Sequence, residues 1–233
     1  KELMKIVENN VDVFLDKKVS AKEKEESILN EIKTLLSLEK NPNRIEVYDN
    51  SHLNGTNPTG VMITYEDLLF QKNSFRKFNI KTSKEKVNDD YFMMRQVFER
   101  RFKLDKEWKK KIPDLIIIDG GKGHLNTVKK VLVNLKINDI DIIAISKGVN
   151  RNNGDETIHT DEKSIKFDKR SQNLFFLQRL RDEAHRFAVS STKLRHEKSL
   201  KNSIFDKIEG LGKKTKSNLL SYFGSIDNIK TAS

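Results

Sequence analysis

The sequence predicts a mixed α/β domain followed by a small all-α segment, and three observations carry that prediction. Leu115–Ile118 and Ile142–Ile145 are continuous apolar runs, as expected of strands covered on both faces. Residues 125–135 between them repeat apolar positions at helical spacing, which makes a βαβ unit. Three shorter strand-like segments precede this unit, and near the C-terminus a Gly-x-Gly separates two short helical stretches.

The elements follow in order. Residues 1–43 read as a helical arm or linker, with Ile28, Ile32, Leu35 and Leu36 on one stripe and Asn41-Pro42-Asn43 as the break. Arg44–Tyr48 alternates as a strand that ends in Asp49-Asn50-Ser51. Gly60–Tyr65 and Phe75–Ile80 follow at hairpin spacing, with Gly55, Asn57 and Pro58 supplying a turn. Residues 88–103 form a helix on Tyr91, Met94, Val97, Phe98 and Phe102. After the βαβ unit, a charged hairpin near 156–167 leads into a long helix from about Ser171 to Leu194. Three strands, helix, strand, helix, strand, helix is the order of the ribonuclease H-like architecture, a mixed sheet flanked by helices. It is assigned to residues 44–200. Residues 201–233 are separate: Ile204–Ile208 a short helix, Gly210-Leu211-Gly212 a hairpin, Thr215–Phe223 a second helix.

Charge narrows the partner. The chain carries 45 Lys and Arg against 34 Asp and Glu, a net +11. Residues 1–40 hold 8 Lys and 9 acidic residues, so the excess lies downstream. A polyanion such as nucleic acid is the expected partner, with a merely solvating surface as the plain alternative. Cys is absent, which excludes disulfides and thiolate zinc sites and leaves carboxylates, His and water to hold any metal. No apolar run is long enough to cross a membrane. The first residue is Lys1 and no leader pattern opens the chain, so a cytoplasmic protein, cut from a longer one, is expected.

Two carboxylates carry the first chemical signal. Asp49 and Asp119 each follow an apolar strand, and sites in α/β sheets gather at the carboxyl ends of strands. Brought together, the pair would hold Mg²⁺ or Mn²⁺, and paired ions are a known solution for in-line phosphodiester cleavage. An Asp after a strand also serves as a simple turn-former. His185 lies beside the helical stripe Leu177, Leu180, Ala184 and Phe187, where it is either a third ligand, a proton carrier or a solvated polar residue. Gly120-Gly121-Lys122-Gly123 lacks the full spacing of a nucleotide-binding loop and reads instead as a place for close backbone approach. Gly210 and Gly212, opening a helix beside Lys213 and Lys214, would present N–H groups to a phosphate. Lys122, Lys147, Arg181 and Arg186 are the other strand-holding candidates, each of which is equally readable as surface charge.

At these residues the sequence resembles a known family. Arg44-Ile-Glu-Val-Tyr-Asp-Asn-Ser-His52 looks like the first strand of the UvrC nuclease domain. Asn88-Asp-Asp-Tyr91, Pro113-Asp-Leu-Ile-Ile-Ile-Asp-Gly-Gly-Lys-Gly123 and Arg181-Asp-Glu-Ala-His-Arg-Phe187 resemble its later signatures, in order. Ile208-Glu-Gly-Leu-Gly-Lys213 with Tyr222-Phe-Gly-Ser225 is similar to the first hairpin of its tandem helix-hairpin-helix tail, so residues 201–233 would be a partial DNA-binding segment.

The resemblance implies an incision enzyme of bacterial nucleotide excision repair that acts on damaged double-stranded DNA marked by UvrB. This half would cut on the 5′ side of the lesion with a divalent metal. It places the catalytic set on Asp49, Asp119 and His185, and Asp90 on a further acidic position tied to incision. Asn50 and His124 stand where relatives usually carry an apolar residue and Gln. The domain that cuts on the 3′ side, the UvrB-contacting module and the second hairpin are not in this stretch. A catalytically silent DNA-binding module is the competing reading, and a ribonuclease for RNA–DNA hybrids, suggested by fold alone, ranks third.

Overall fold

The computed structural model describes residues 2–53, 56–80, 89–104, 111–148 and 155–206, with positions 212, 215, 218, 219, 222, 223 and 229 beyond them. Eight strands form one sheet: β1 Arg44–Leu53, β2 Thr56–Glu66, β3 Leu69–Phe70, β4 Arg76–Asn79, β5 Leu115–Asp119, β6 Asp141–Ser146, β7 Thr157–His159 and β8 Ser164–Lys166. Their order is β3-β2-β1-β5-β6-β7-β8, with β4 also paired to β2. β1 is central, antiparallel to β2 and parallel to β5, and β5 is parallel to β6. The long helices among the described residues are α1 Glu2–Leu36, α2 Asp90–Glu99, α3 Lys122–Asn134 and α4 Gln172–Asp206.

Strand alternation divides the core into two layers. Ile45, Val47, Leu115 and Ile117 face a layer completed by Leu29, Ile32 and Leu36 of α1 and by Leu177, Leu180 and Ala184 of α4. Tyr48, Ile116 and Ile118 face the other way, onto Met94, Val97 and Phe98 of α2 and Leu125 and Val128 of α3. α2 sits so close on β2 that a Cβ at Gly60 would lie 2.3 Å from Val97.

Polar groups lock the centre. Glu46 is fully buried and accepts from Tyr48 Oη (2.6 Å), Arg101 Nη2 (2.8 Å) and Arg44 Nη2 (3.2 Å). Burial, together with the neighbouring Glu46 charge, holds the Tyr48 phenol well above its ordinary pKa, so it remains a donor. Arg101 also donates to the Lys111 carbonyl, which ties the approach to β5 into the network. The Asp114 carboxylate accepts from the backbone N–H of Arg44 (2.8 Å), joining the starts of β1 and β5.

Several expectations change. β1 does not end at Tyr48: Asp49, Asn50 and Ser51 pair with Val61, Gly60 and Thr59 of β2, and the ladder carries these polar residues inside the strand. Asn57 and Pro58 belong to β2 rather than to a turn. On α1, Leu29 takes the buried place expected for Leu35, which is exposed. On α2, Tyr91 is 47% exposed and Met93 enters the core instead. Ser203–Asp206 is the end of α4, not a separate helix, because no Pro or Gly interrupts the chain between 171 and 209. Gly210, Lys213 and Lys214 lie outside the described residues. Thr215, Asn218, Leu219, Tyr222 and Phe223 are helical, as expected.

Candidate metal centre

The same alternation that builds the core builds the site. Ile45 and Val47 on β1, and Leu115 and Ile117 on β5, point toward α4. The next residue on each row is an aspartate, Asp49 or Asp119. The last parallel pair of the two strands is Tyr48 with Ile118, so the aspartates fall one step beyond it, side by side. On α4, Ala184 is buried against the sheet, and His185 stands on the shoulder beside it. Nδ1 of His185 lies 2.9 Å from Asp49 Oδ2, while Asp49 Oδ1 accepts from the Asn50 N–H at 2.7 Å. One ligand atom each from Asp49, Asp119 and His185 lies within 4.8 Å of the others.

The electrostatics favour a cation. Burial, then the adjacent Asp49 charge, pushes the Asp119 carboxyl from 3.8 up to about 6, although Arg181, Lys147 and His185 pull the other way. The hydrogen bond to Asp49 holds the His185 imidazole above its ordinary value. Arg181 is buried and committed to Glu156 (3.0 Å) and Asp182 (2.7 Å), and Lys147 is exposed. Two carboxylates and an imidazole, with a surplus of negative charge at neutral pH, suit a hard divalent ion.

A pH dependence follows. The penalty for ionising Asp119 in the fold appears as pH rises above 3.8 and is complete above about 6. The stabilisation from protonated His185 is present below its ordinary value of 6.5 and is lost as pH rises through the raised folded value. Metal-free protein is therefore expected to lose Tm as pH rises from about 4 through 6 on account of Asp119, and further as pH passes above 6.5 on account of His185. Saturating Mn²⁺ should restore it at the alkaline end, by about 2.7 kcal/mol at a hundred times Kd, and have little effect at the acid end. A thermal melt series with and without Mn²⁺ measures this, and a metal effect independent of pH would contradict the assignment.

The other expected residues distribute around this centre. Asp90 is exposed at the first position of α2, and its charge and that of Asp49 both act on His124. Lys122 is exposed at the first position of α3, and its charge acts on His159. Lys147 follows β6 and acts on both Asp119 and His185. Arg186 is exposed and forked onto Glu183, with contacts of 2.8 and 2.5 Å. Gly212 has open space where a Cβ would stand. Sequence pattern does not reveal Glu156, the buried partner of Arg181, because a hairpin glutamate carries no local signal. Nor does it reveal the place of His124, whose ring packs on Gly120 so closely that a Cβ there would lie 2.6 Å from it.

Comparison with known proteins identifies the family. Residues 33–189 match the family model described as the UvrC RNase H endonuclease domain. UvrABC system protein C of Zymomonas mobilis is 42% identical over 245 residues, covering all of this chain and 36% of the relative. The protein of the same name from Bradyrhizobium diazoefficiens is 40% identical, with the same coverage. The chain thus spans about a third of the length of the curated relatives it matches. Among solved structures, human ENDOV aligns with a TM-score of 0.33 at 12% identity, covering 56% of this chain and 60% of that one. With the family match spanning the whole sheet and all three clustered side chains, and with relatives at this identity over its full length, the chain belongs to the UvrC RNase H endonuclease domain family.

Proposed function

We propose that this chain is a metal-dependent DNA endonuclease module that makes the 5′-side incision at a lesion in nucleotide excision repair, with Mg²⁺ or Mn²⁺ as its ion. The observation that supports it most is the convergence of Asp49, Asp119 and His185 from three separate elements. These three residues would hold the ion, with Asp90 as an outer carboxylate. A bound divalent ion supplies Lewis-acid charge that makes water a better nucleophile and offsets the charge that builds on the phosphate. Asp49 orients His185 through their hydrogen bond, which turns Nδ1 toward the Asp49 carboxylate.

Lys122, Lys147 and Arg186 would hold the strand. Arg181, tied to Glu156 and Asp182, keeps α4 seated beside the ligands and adds positive potential toward Asp119. The tail residues Gly210, Gly212, Lys213 and Lys214 would grip the duplex backbone. The substrate in this reading is damaged double-stranded DNA presented by UvrB, in the cytoplasm.

The test uses the full-length parent protein on a lesion-bearing duplex pre-loaded with UvrB, with Mg²⁺ or Mn²⁺. His185→Ala is expected to remove the 5′ cut and spare the 3′ cut. An unchanged 5′ cut would return His185 to a structural role and favour a DNA-binding module without chemistry.

A further inference from the structure

Tyr91 stands out because an aromatic ring on a helix of this kind belongs in the core, and this one is half exposed. It is the second residue of α2, and its centroid lies 4.7 Å from that of His124 at a tilt of 46°. His124 in turn rests on Gly120, the residue after the ligand Asp119. Two rings therefore lead outward from the metal centre in sequence: His124 against the site, Tyr91 beyond it.

The seat is built for the ring. A Cβ at Gly123 would lie 2.4 Å from the Tyr91 hydroxyl and 2.8 Å from its ring carbons, so the absence of a side chain there lets Tyr91 lie down on the first turn of α3. The neighbouring charges are wrong for a phosphate, because Asp89 and Asp90 both stand at this helix start. What suits a flat, half-exposed ring with carboxylates beside it is a neutral flat partner with polar edges. Resting on the proposed nuclease activity, we infer that Tyr91, backed by His124, is a ledge on which a nucleobase flanking the scissile phosphate stacks after leaving the duplex. A paired base already has stacking neighbours, so the ledge selects strand that is locally opened. Base–aromatic stacking of this kind is worth about tenfold in strand binding.

A perturbation cycle tests it on the full-length protein with a lesion duplex pre-loaded with UvrB. One arm is Tyr91→Ala, with Tyr91→Phe as the ring-retaining variant. The other removes the base, leaving an abasic sugar, at each nucleotide flanking the 5′ cut in turn. Each change alone is expected to raise KM for the 5′ cut about tenfold, and the two together no further, while Tyr91→Phe behaves as wild type. The same cycle is read as Kd in the non-cutting Asp49→Asn background. Effects that multiply to about a hundredfold, or a Tyr91→Ala protein with unchanged KM and Kd, overturn the ledge. Non-additive Kd values, together with no 5′ cut by the protein with Asp49 intact, would uphold the ledge and sink the endonuclease reading instead.

Discussion

Asp49→Asn in the full-length protein is expected to lower the rate of the 5′ cut by about a thousandfold or more, with little change in folding. Asn keeps the size of the side chain and an oxygen that can still accept the Asn50 N–H. It removes the charge that holds a cation and the acceptor that orients His185 as an ionic partner. Lewis-acid stabilisation is worth several kcal/mol of barrier, and about 1.36 kcal/mol is tenfold in rate, which sets the size of the loss. Tm of the metal-free protein should change little above about pH 6, because the lost pairing with His185 is offset by relief of the Asp49 charge, which adds to burial in raising the Asp119 carboxyl. Single-turnover incision and DNA binding, measured side by side, check this. Incision within a few-fold of wild type would take Asp49 out of the catalytic set.

The second large effect concerns stability. Glu46→Ala leaves the Arg101 guanidinium and the Tyr48 hydroxyl buried without their carboxylate, and leaves Arg44 with Glu66 alone. Breaking a buried ion pair from one side costs about 3–5 kcal/mol, a large share of the roughly 5–15 kcal/mol that holds a typical domain. Urea unfolding should show that loss. Removing both partners with apolar groups, as in Glu46→Leu with Arg101→Met, should recover most of it, since no charge is then stranded. A Glu46→Ala protein with wild-type stability would mean that water or a shifted side chain satisfies the arginines, and the network would lose its structural role.

Much of this architecture is legible in the residues alone. The runs at 115–118 and 142–145 mark two parallel strands because double-sided burial removes alternation, and that pattern seldom arises any other way. Asp119 is readable as the end of such a run. Asp49 is legible for a partly wrong reason, since the strand continues past it to Leu53 and its site position comes from facing α4, not from terminating β1. His185 needs the tertiary fold, as helical spacing locates it beside a core stripe but cannot say which strand row that stripe covers. Glu46 is opaque: a charged residue inside an alternating strand reads as solvent-facing, and its partners include Arg101, 55 positions away, which no local pattern reveals. Spacing puts Tyr91 in the core, because periodicity does not register that the start of α2 lies against His124 and the first turn of α3.

In mechanical terms α4 is a single 35-residue rod, and His185 sits 21 residues before its final turn at Asp206. At about 1.5 Å per residue the distance is about 32 Å, close to the length of one turn of duplex DNA. Long helices bend only gently without a Pro, Gly pair or bulge, and this one has no Pro or Gly. His185 and the last turn of α4 are therefore two marks on one ruler. A load applied at the far mark is expected to reach the near one along a continuous helix, with no Pro or Gly between them to bend it.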